Sequence, residues 1–384
     1  MRPWTGRERL LAAALLAVCV WLSLSRALDP LEMFALDLRF RLRGERPFPP
    51  GITLIKIDEA SLDHPRSGAW PWSGGRHAEF LYSLERPDAR PSAIGFDVFF
   101  ESENPKDESG DHALVYRAGE TQGRLVLGYF FEKGYLSRHE RNAEKEKRLR
   151  SFALPVSGEL PAQLEKFDKV SLPFVRLSES SSLGFSSISR DFRGVTQRMR
   201  LIGLFQGKVY PSLELMLILK HFGMEPRDVR VTRNALILEK QGLPKRTIPL
   251  TEEGEIWIDY YGHPKAPLQT ASFIQALNRD SLLAPEEERK LARALKDRIV
   301  LVGRTALSLG DTYSTPFDAN QPGVMVRAQV LANLIEGRFL RRADARLCAA
   351  LLACFGLAVI WALMRFSLPK AFLALSVLGG GYGA

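Results

Sequence analysis

The stretch ITLIKID, residues 52–58, is a short run of apolar residues that ends in an aspartate. Its length and its β-branched residues are typical of a buried strand. Similar strands are predicted over Ala93–Phe100, Arg124–Phe131 and Arg298–Val302, with helical segments between the first of them. Strands this apolar, alternating with helices, predict an α/β fold with a mixed, largely parallel sheet, flanking helices and added β-hairpins.

Uncharged apolar runs lie at both ends of the chain, over Leu10–Leu24, Leu347–Met364 and Ala371–Ala384. The second run is long enough to cross a hydrocarbon core of about 30 Å, so we expect transmembrane helices at both ends. The expected domains are a cytoplasmic start with a first membrane helix (1–28), an extracytoplasmic domain (29–342), a second membrane helix (343–366) and the start of a third (371–384). Cleavage of the first run as a signal peptide is the alternative.

The formal net charge of +9 comes largely from arginines beside these apolar runs. Arginines in that position can meet anionic headgroups, so membrane lipid is an expected partner and nucleic acid is not. Arg2, Arg7 and Arg9 favour a cytoplasmic amino terminus. The expected location is therefore a multi-pass inner membrane protein with its central domain outside or in the periplasm.

Two carboxylates end predicted parallel strands, Asp58 after the first and Asp97 within the second. Ligands of open α/β sheets bind beyond the carboxyl ends of the strands, so the pair is a candidate site. His77 and Asp311 are candidates to join it, as a metal site or as an acid–base pair. The alternative is that each aspartate caps the next helix or turn.

Trp70-Pro71-Trp72 is an aromatic cluster that could stack on a ligand or clamp a loop onto the core. The histidines show no zinc-binding spacing, and the loop after Gly303 lacks the lysine and the spacing of a P-loop. We therefore expect no cofactor.

Several short blocks of this sequence are distinctive together: Asp37-Leu38-Arg39-Phe40-Arg41, Ile55-Lys56-Ile57-Asp58, Trp70-Pro71-Trp72 with His77-Ala78, Ile94-Gly95-Phe96-Asp97, Tyr210-Pro211-Ser212-Leu213, Ile299-Val300-Leu301-Val302-Gly303, Gly310-Asp311, Thr315-Pro316 and Pro322-Gly323-Val324. These blocks resemble the second type of the bacterial CHASE domain, the cyclase/histidine-kinase-associated sensory extracellular domain. The resemblance covers about Leu31 to Arg342. Two positions depart from the family pattern: Gly74 stands where an arginine or similar residue is usual, and Arg327 where a histidine is common.

The resemblance implies a sensory input domain, not an enzyme, that binds an unknown small molecule or protein. It implies an output such as an adenylate or guanylate cyclase or a histidine kinase, and therefore an amino-terminal fragment of a longer receptor. The candidate ligand-binding residues are Asp58, Trp70, Trp72, His77, Asp97, Asp311 and Arg327. Small residues at helix-packing intervals in the apolar runs favour a homodimer.

Two other classes of function remain open. An anchored metal-dependent hydrolase would use Asp58, Asp97, Asp311 and His77. A non-signalling envelope scaffold would need no site.

Overall fold

The computed structural model describes residues 29–133, 143–262 and 268–365, together with scattered positions before Asp29. It divides into two compact units, residues 1–42 with 341–384, and residues 43–340. The smaller unit contains the first and last described helices. Within it, Arg342 forms ion pairs with Asp29 and with Glu32, the latter at 2.9 Å.

The strands are β1 (Ile52–Ile57), β2 (Ala93–Asp97), β3 (Leu125–Glu132), β4 (Lys166–Phe167), β5 (Lys169–Ser171), β6 (Ser182–Phe185), β7 (Arg198–Arg200), β8 (Ile202–Phe205), β9 (Lys208–Pro211), β10 (Val229–Val231), β11 (Ala235–Leu238), β12 (Arg246–Pro249), β13 (Glu255–Trp257), β14 (Gln269–Ser272), β15 (Ile299–Arg304), β16 (Thr312–Tyr313) and β17 (Gln321–Pro322).

The α-helices are α1 (Asp29–Arg43), α2 (Glu59–Leu62), α3 (Gly74–Leu84), α4 (Glu108–Glu120), α5 (Ala143–Arg150), α6 (Val175–Glu179), α7 (Leu213–His221), α8 (Phe273–Leu277), α9 (Arg279–Leu282), α10 (Pro285–Leu295), α11 (Gly323–Glu336) and α12 (Ala345–Arg365). Short 3-10 turns cover Pro226–Asp228 and Leu307–Leu309.

The larger unit is built on a sheet with the strand order β14-β1-β15-β2-β3. All these strands run parallel, and β6 continues the parallel set beside the first half of β3. The antiparallel strand β5 pairs with the end of β3, so the sheet is mixed. Because β15 comes late in the chain and lies between β1 and β2, the carboxyl ends of three sequence-distant strands lie side by side.

Helices cover both faces of this sheet. Helix α7 contacts β2, β3 and β6, helix α11 contacts β1 and β15, and the two helices contact each other. A Cβ on Gly95 of β2 would lie 2.6 Å from Leu217 of α7, so Gly95 faces α7. The next side chain, Phe96, contacts Phe80 of α3 on the opposite face, as the alternation of a strand requires.

Helix α7 is the central helix of the larger unit, and its residues 213–219 are all buried. The predicted strands at Ile52, Ala93, Arg124 and Arg298 are confirmed as β1, β2, β3 and β15. The remaining strands form small sheets. Antiparallel pairs join β8 to β9, β10 to β11, β11 to β12, β7 to β13 and β16 to β17, and β4 pairs parallel with β8.

The predicted transmembrane helices at both ends require correction. A span needs about 20 consecutive apolar residues, and over the part of the chain that the structure describes no helix has both that length and that apolar character. The predicted Leu347–Met364 span falls in α12, whose side chains are described only for residues 346–361. Most of Leu10–Leu24 and all of Ala371–Ala384 lie outside the described residues. The fold class is α/β with mixed sheets.

The close approach of β6 to α7 is testable with alanine substitutions. In Gly184→Ala the new Cβ would lie 2.6 Å from the Cα of Leu213 and 2.7 Å from the carbonyl oxygen of Ser212, and backbone atoms cannot move aside easily. We expect urea denaturation to show a loss of about 1–3 kcal/mol in the free energy of unfolding. The matched control is Gly119→Ala in α4, where a Cβ would meet nothing within 4 Å. We expect that control to be neutral or to gain up to about 1 kcal/mol, and equal effects at both positions would contradict the packing.

Candidate functional site

The site lies at the carboxyl edge of the parallel sheet, where β1, β15 and β2 end next to one another. In register, Ile57 pairs with Arg304 and Gly303 pairs with Asp97. A Cβ on Gly303 would lie 2.5 Å from the side chain of Val324, so the first turn of α11 sits directly against the end of β15. Residues in the first turns of α11 are therefore placed beside the strand ends.

Arg327, in the second turn of α11, is the centre of a buried polar junction. We use this name for Arg327, Asp97, Glu214 and Ser186. The guanidinium donates to Asp97 Oδ2 at 2.8 Å, to Ser186 Oγ at 2.6 Å and to Glu214 Oε1. Ser186 Oγ in turn donates to Asp97 Oδ1 at 2.8 Å. The junction thus ties α11 to the end of β2, to the residue after β6 and to the first turn of α7.

The junction holds one guanidinium and the carboxylate of Glu214 away from water, and the carboxylate of Asp97 is partly buried. Arg327 is 3% exposed and Glu214 is fully buried. Burial alone would lower the pKa of Arg327, but the negative charges of Asp97 and Glu214 outweigh it and leave this pKa raised. Glu214 Oε2 finds no hydrogen-bond partner among the described residues. The arrangement is therefore expensive to form and has one acceptor that is not satisfied.

Asp311 lies at the rim of the same edge. It forms an ion pair with Arg304 at 3.2 Å, and a Cβ on Gly323 would come 3.2 Å from its carboxylate. Burial, followed by the charge of Asp97, raises the pKa of Asp311, although Arg304 and Arg327 act in the opposite direction. Asp97, Asp311 and Arg327 are therefore brought together, as candidates on adjacent elements should be.

Asp58 is placed apart from this group and caps a helix. Its carboxylate accepts from the backbone N–H of Ser61 at 3.1 Å and from the Ser61 hydroxyl at 2.8 Å, at the start of α2. Ser272 Oγ also donates to it, and Lys56 lies 3.5 Å away. Burial raises the pKa of Asp58, but these hydrogen bonds and Lys56 outweigh it and leave the pKa lowered. The capping alternative describes this residue.

Trp70, Trp72 and His77 come together in a second group, the aromatic cluster, with Phe96, Phe100 and Phe273. The indole of Trp72 lies 4.7 Å from the ring of Phe273, and Trp70 lies edge-on to Trp72 at 5.0 Å. The imidazole of His77 lies 5.0 Å from Phe100, between ring centres. Burial in these rings lowers the pKa of His77 to about 4, so its ring is neutral near pH 7.

Glu214 and Ser186 are functional candidates that the sequence reasoning missed. Glu214 is an acidic residue in the otherwise apolar start of α7, LELMLI, where all neighbouring side chains are buried. A buried acid in such an apolar run needs a cationic partner. The sequence could therefore have indicated that Glu214 pairs with a buried cation. Ser186 gives no comparable signal, since it follows a strand in a serine-rich stretch.

The metal-dependent hydrolase alternative receives no support from this geometry. Asp58 and His77 do not join Asp97 and Asp311, and within the described ranges no three histidine, cysteine, aspartate or glutamate side chains are grouped as metal ligands.

The carboxyl-terminal half of α11 is joined to the segment 259–262. Asn333 Oδ1 accepts from the backbone N–H of Asp259 at 2.9 Å, and Gln329 Oε1 accepts from that of Tyr261 at 2.8 Å. The carboxylate of Asp259 is within 2.6 Å of Arg43, 2.8 Å of Arg46 and 3.6 Å of Arg338. A single acid thus binds both the entering and the leaving chain of the larger unit.

The larger unit is thus an α/β domain with a helix-covered, mainly parallel sheet and a buried charged junction at the carboxyl edge of that sheet. The family model described as the CHASE2 domain matches residues 13–366, and the chain therefore belongs to the CHASE2 family. This is a family of sensory extracellular domains of signalling receptors. No curated protein and no solved structure matches the chain.

His77 makes the stability of the fold depend on pH. The imidazole protonates near pH 6.5 in the unfolded chain and near pH 4 in the folded one, so stability is lost as the pH falls from about 6.5 to about 4. This loss amounts to about 3 kcal/mol. We expect urea denaturation of His77→Phe to show that its free energy of unfolding no longer decreases by this amount as the pH falls between those values. His112→Phe, at an exposed ring, controls for the loss of an imidazole, and an unchanged slope in His77→Phe would contradict the burial.

The junction is testable with a double-mutant cycle. Arg327→Met leaves two buried carboxylates without their cation, and we expect it to cost about 3–5 kcal/mol in the free energy of unfolding. Adding Glu214→Gln should return part of that loss, since one of the stranded charges is removed, whereas Glu214→Gln alone should destabilise. Arg230→Met, at an exposed ion pair, is the control and should change stability by less than about 1 kcal/mol. Strictly additive effects at Arg327 and Glu214 would contradict a coupled junction.

Proposed function

We propose that this chain is the ligand-sensing input domain of a bacterial signalling receptor whose output is a cyclase or a kinase. The CHASE2 family match supports the sensory role. The observation that carries the mechanism is the junction, because Arg327 joins α11 to β2, β6 and α7 through hydrogen bonds to a carboxylate, a hydroxyl and a second carboxylate.

A buried ionic junction suits a two-state element. Its ion pairs are strong only in one geometry, since a small displacement leaves buried charges unpaired. If α11 moves relative to β2, we therefore expect the two elements to settle in a second distinct arrangement and not in a continuous range of positions. A ligand shifts such an equilibrium by its difference in affinity for the two arrangements.

Helix α11 gives a route from the junction to the ends of the larger unit. Its first turns carry Arg327 at the sheet edge, and its last turns hold the 259–262 segment through Gln329 and Asn333. A shift of α11 at the junction would therefore displace the segment in which Asp259 forms ion pairs with Arg43 and Arg338. Homodimerisation stays a prediction.

The sensory role is testable by fusing the full chain to an adenylate cyclase catalytic domain and measuring cyclic AMP at equal expression. We expect Asp97→Asn to change basal output several-fold in either direction, because it removes one charge from the junction and biases the two arrangements. Asp88→Asn, the same exchange at a surface acid, is the control and should leave output unchanged. If both variants match the parent fusion while Asp97→Asn remains folded, the junction does not control output and a scaffold role is favoured.

A further inference from the structure

Two buried nitrogen atoms of the aromatic cluster have no hydrogen-bond partner within the described part of the chain. They are Nε1 of Trp72 and Nδ1 of His77. Trp72 is 7% exposed and His77 is 2% exposed, so neither side chain is satisfied by bulk water. Buried polar groups almost always have a partner, and two orphans in one cluster point to a molecule that supplies both partners.

The two nitrogens belong to neighbouring rings. The ring centres of Trp72 and His77 are 6.1 Å apart, and both rings contact Phe273. One oxygen placed about 2.9 Å from each nitrogen bridges a gap of up to about 5.8 Å. Because the two rings are neighbours, their nitrogens are candidates to share one hydroxyl group.

The surroundings restrict the chemistry of the molecule. The rings of Phe96, Phe100 and Phe273 give apolar contacts to whatever reaches the two nitrogens. A charged group would lose its hydration there without an opposite charge, so a neutral molecule is favoured. Trp72 Nε1 can only donate, and an unprotonated His77 can accept at Nδ1. The partner must then accept one hydrogen bond and donate another.

The cluster is accessible from the surface at its rim. Trp70 and Phe100 are only partly buried, and they stand against Trp72 and His77 respectively. Trp70 lies two residues after Gly68, whose φ of +76° is in the left-handed region that glycine adopts readily.

We propose that the aromatic cluster is the ligand site of this sensor and takes a small neutral aromatic alcohol, whose hydroxyl accepts from Trp72 and donates to His77. The proposal rests on the sensory function proposed above and names its ligand class. Phe96 of the cluster is followed directly by Asp97 of the junction, so a ligand against Phe96 acts on the strand end that holds Arg327.

The test is calorimetric titration of the full chain with phenol, anisole and toluene. Phenol offers both a donor and an acceptor, anisole only an acceptor and toluene neither. We expect phenol to bind at least tenfold more tightly than toluene, with anisole between them, because one buried hydrogen bond is worth about tenfold in affinity.

Three variants localise the binding. Trp72→Phe and His77→Phe keep an aromatic ring and remove the polar atom, and each should weaken phenol about tenfold while leaving toluene unchanged. Trp257→Phe removes an indole elsewhere in the larger unit and should leave phenol affinity unchanged. Circular dichroism of each variant establishes that it is folded.

Three results would overturn the proposal: no phenol binding, equal binding of phenol and toluene by the parent chain, or phenol affinity in Trp72→Phe and His77→Phe that equals the affinity of the parent chain. A water molecule bound to both nitrogens in a crystal soaked with phenol would also overturn it. If phenol fails while Asp97→Asn still changes the output of the cyclase fusion, the ligand class is wrong and the sensory function stands.

Discussion

The buried charge of Arg327 is the constraint on which the arrangement of the larger unit depends. A guanidinium that is 3% exposed can exist there only with anionic partners in fixed positions. Asp97 and Glu214 supply them from a strand and a helix that are far apart in sequence. The alignment of α7, α11 and the end of β2 is therefore linked to one side chain.

The strand β2 connects the two groups of candidate residues because its side chains alternate between the faces of the sheet. Phe96 meets the imidazole of His77 on one face, and Asp97 meets Arg327 on the other. Two adjacent residues thus take part in an apolar cluster and in a charged junction. Under the proposed sensory function, a displacement of this strand end by one group would reach the other group without any intermediate residue.

Much of the sheet could be predicted from the sequence, because its strands are short apolar runs such as Ile52–Ile57. The proximity of Asp97 and Asp311 could be predicted in part, since the ends of parallel strands share one edge of the sheet. The role of Glu214 could not be predicted, because its pairing with Arg327 depends on how α7 and α11 cross. The prediction of membrane helices failed because an apolar run alone does not establish a spanning helix among the described residues.

The carboxylate of Asp259 brings Arg43 and Arg338 to within 2.6 and 3.6 Å of one group, so the two ends of the 43–340 unit are neighbours in space. A unit with adjacent ends can be inserted into a loop of another protein without stretching its host. The 43–340 unit could therefore be moved between host proteins as one piece. A rearrangement within it would reach each host through the same two chain segments, at Arg43 and at Arg338.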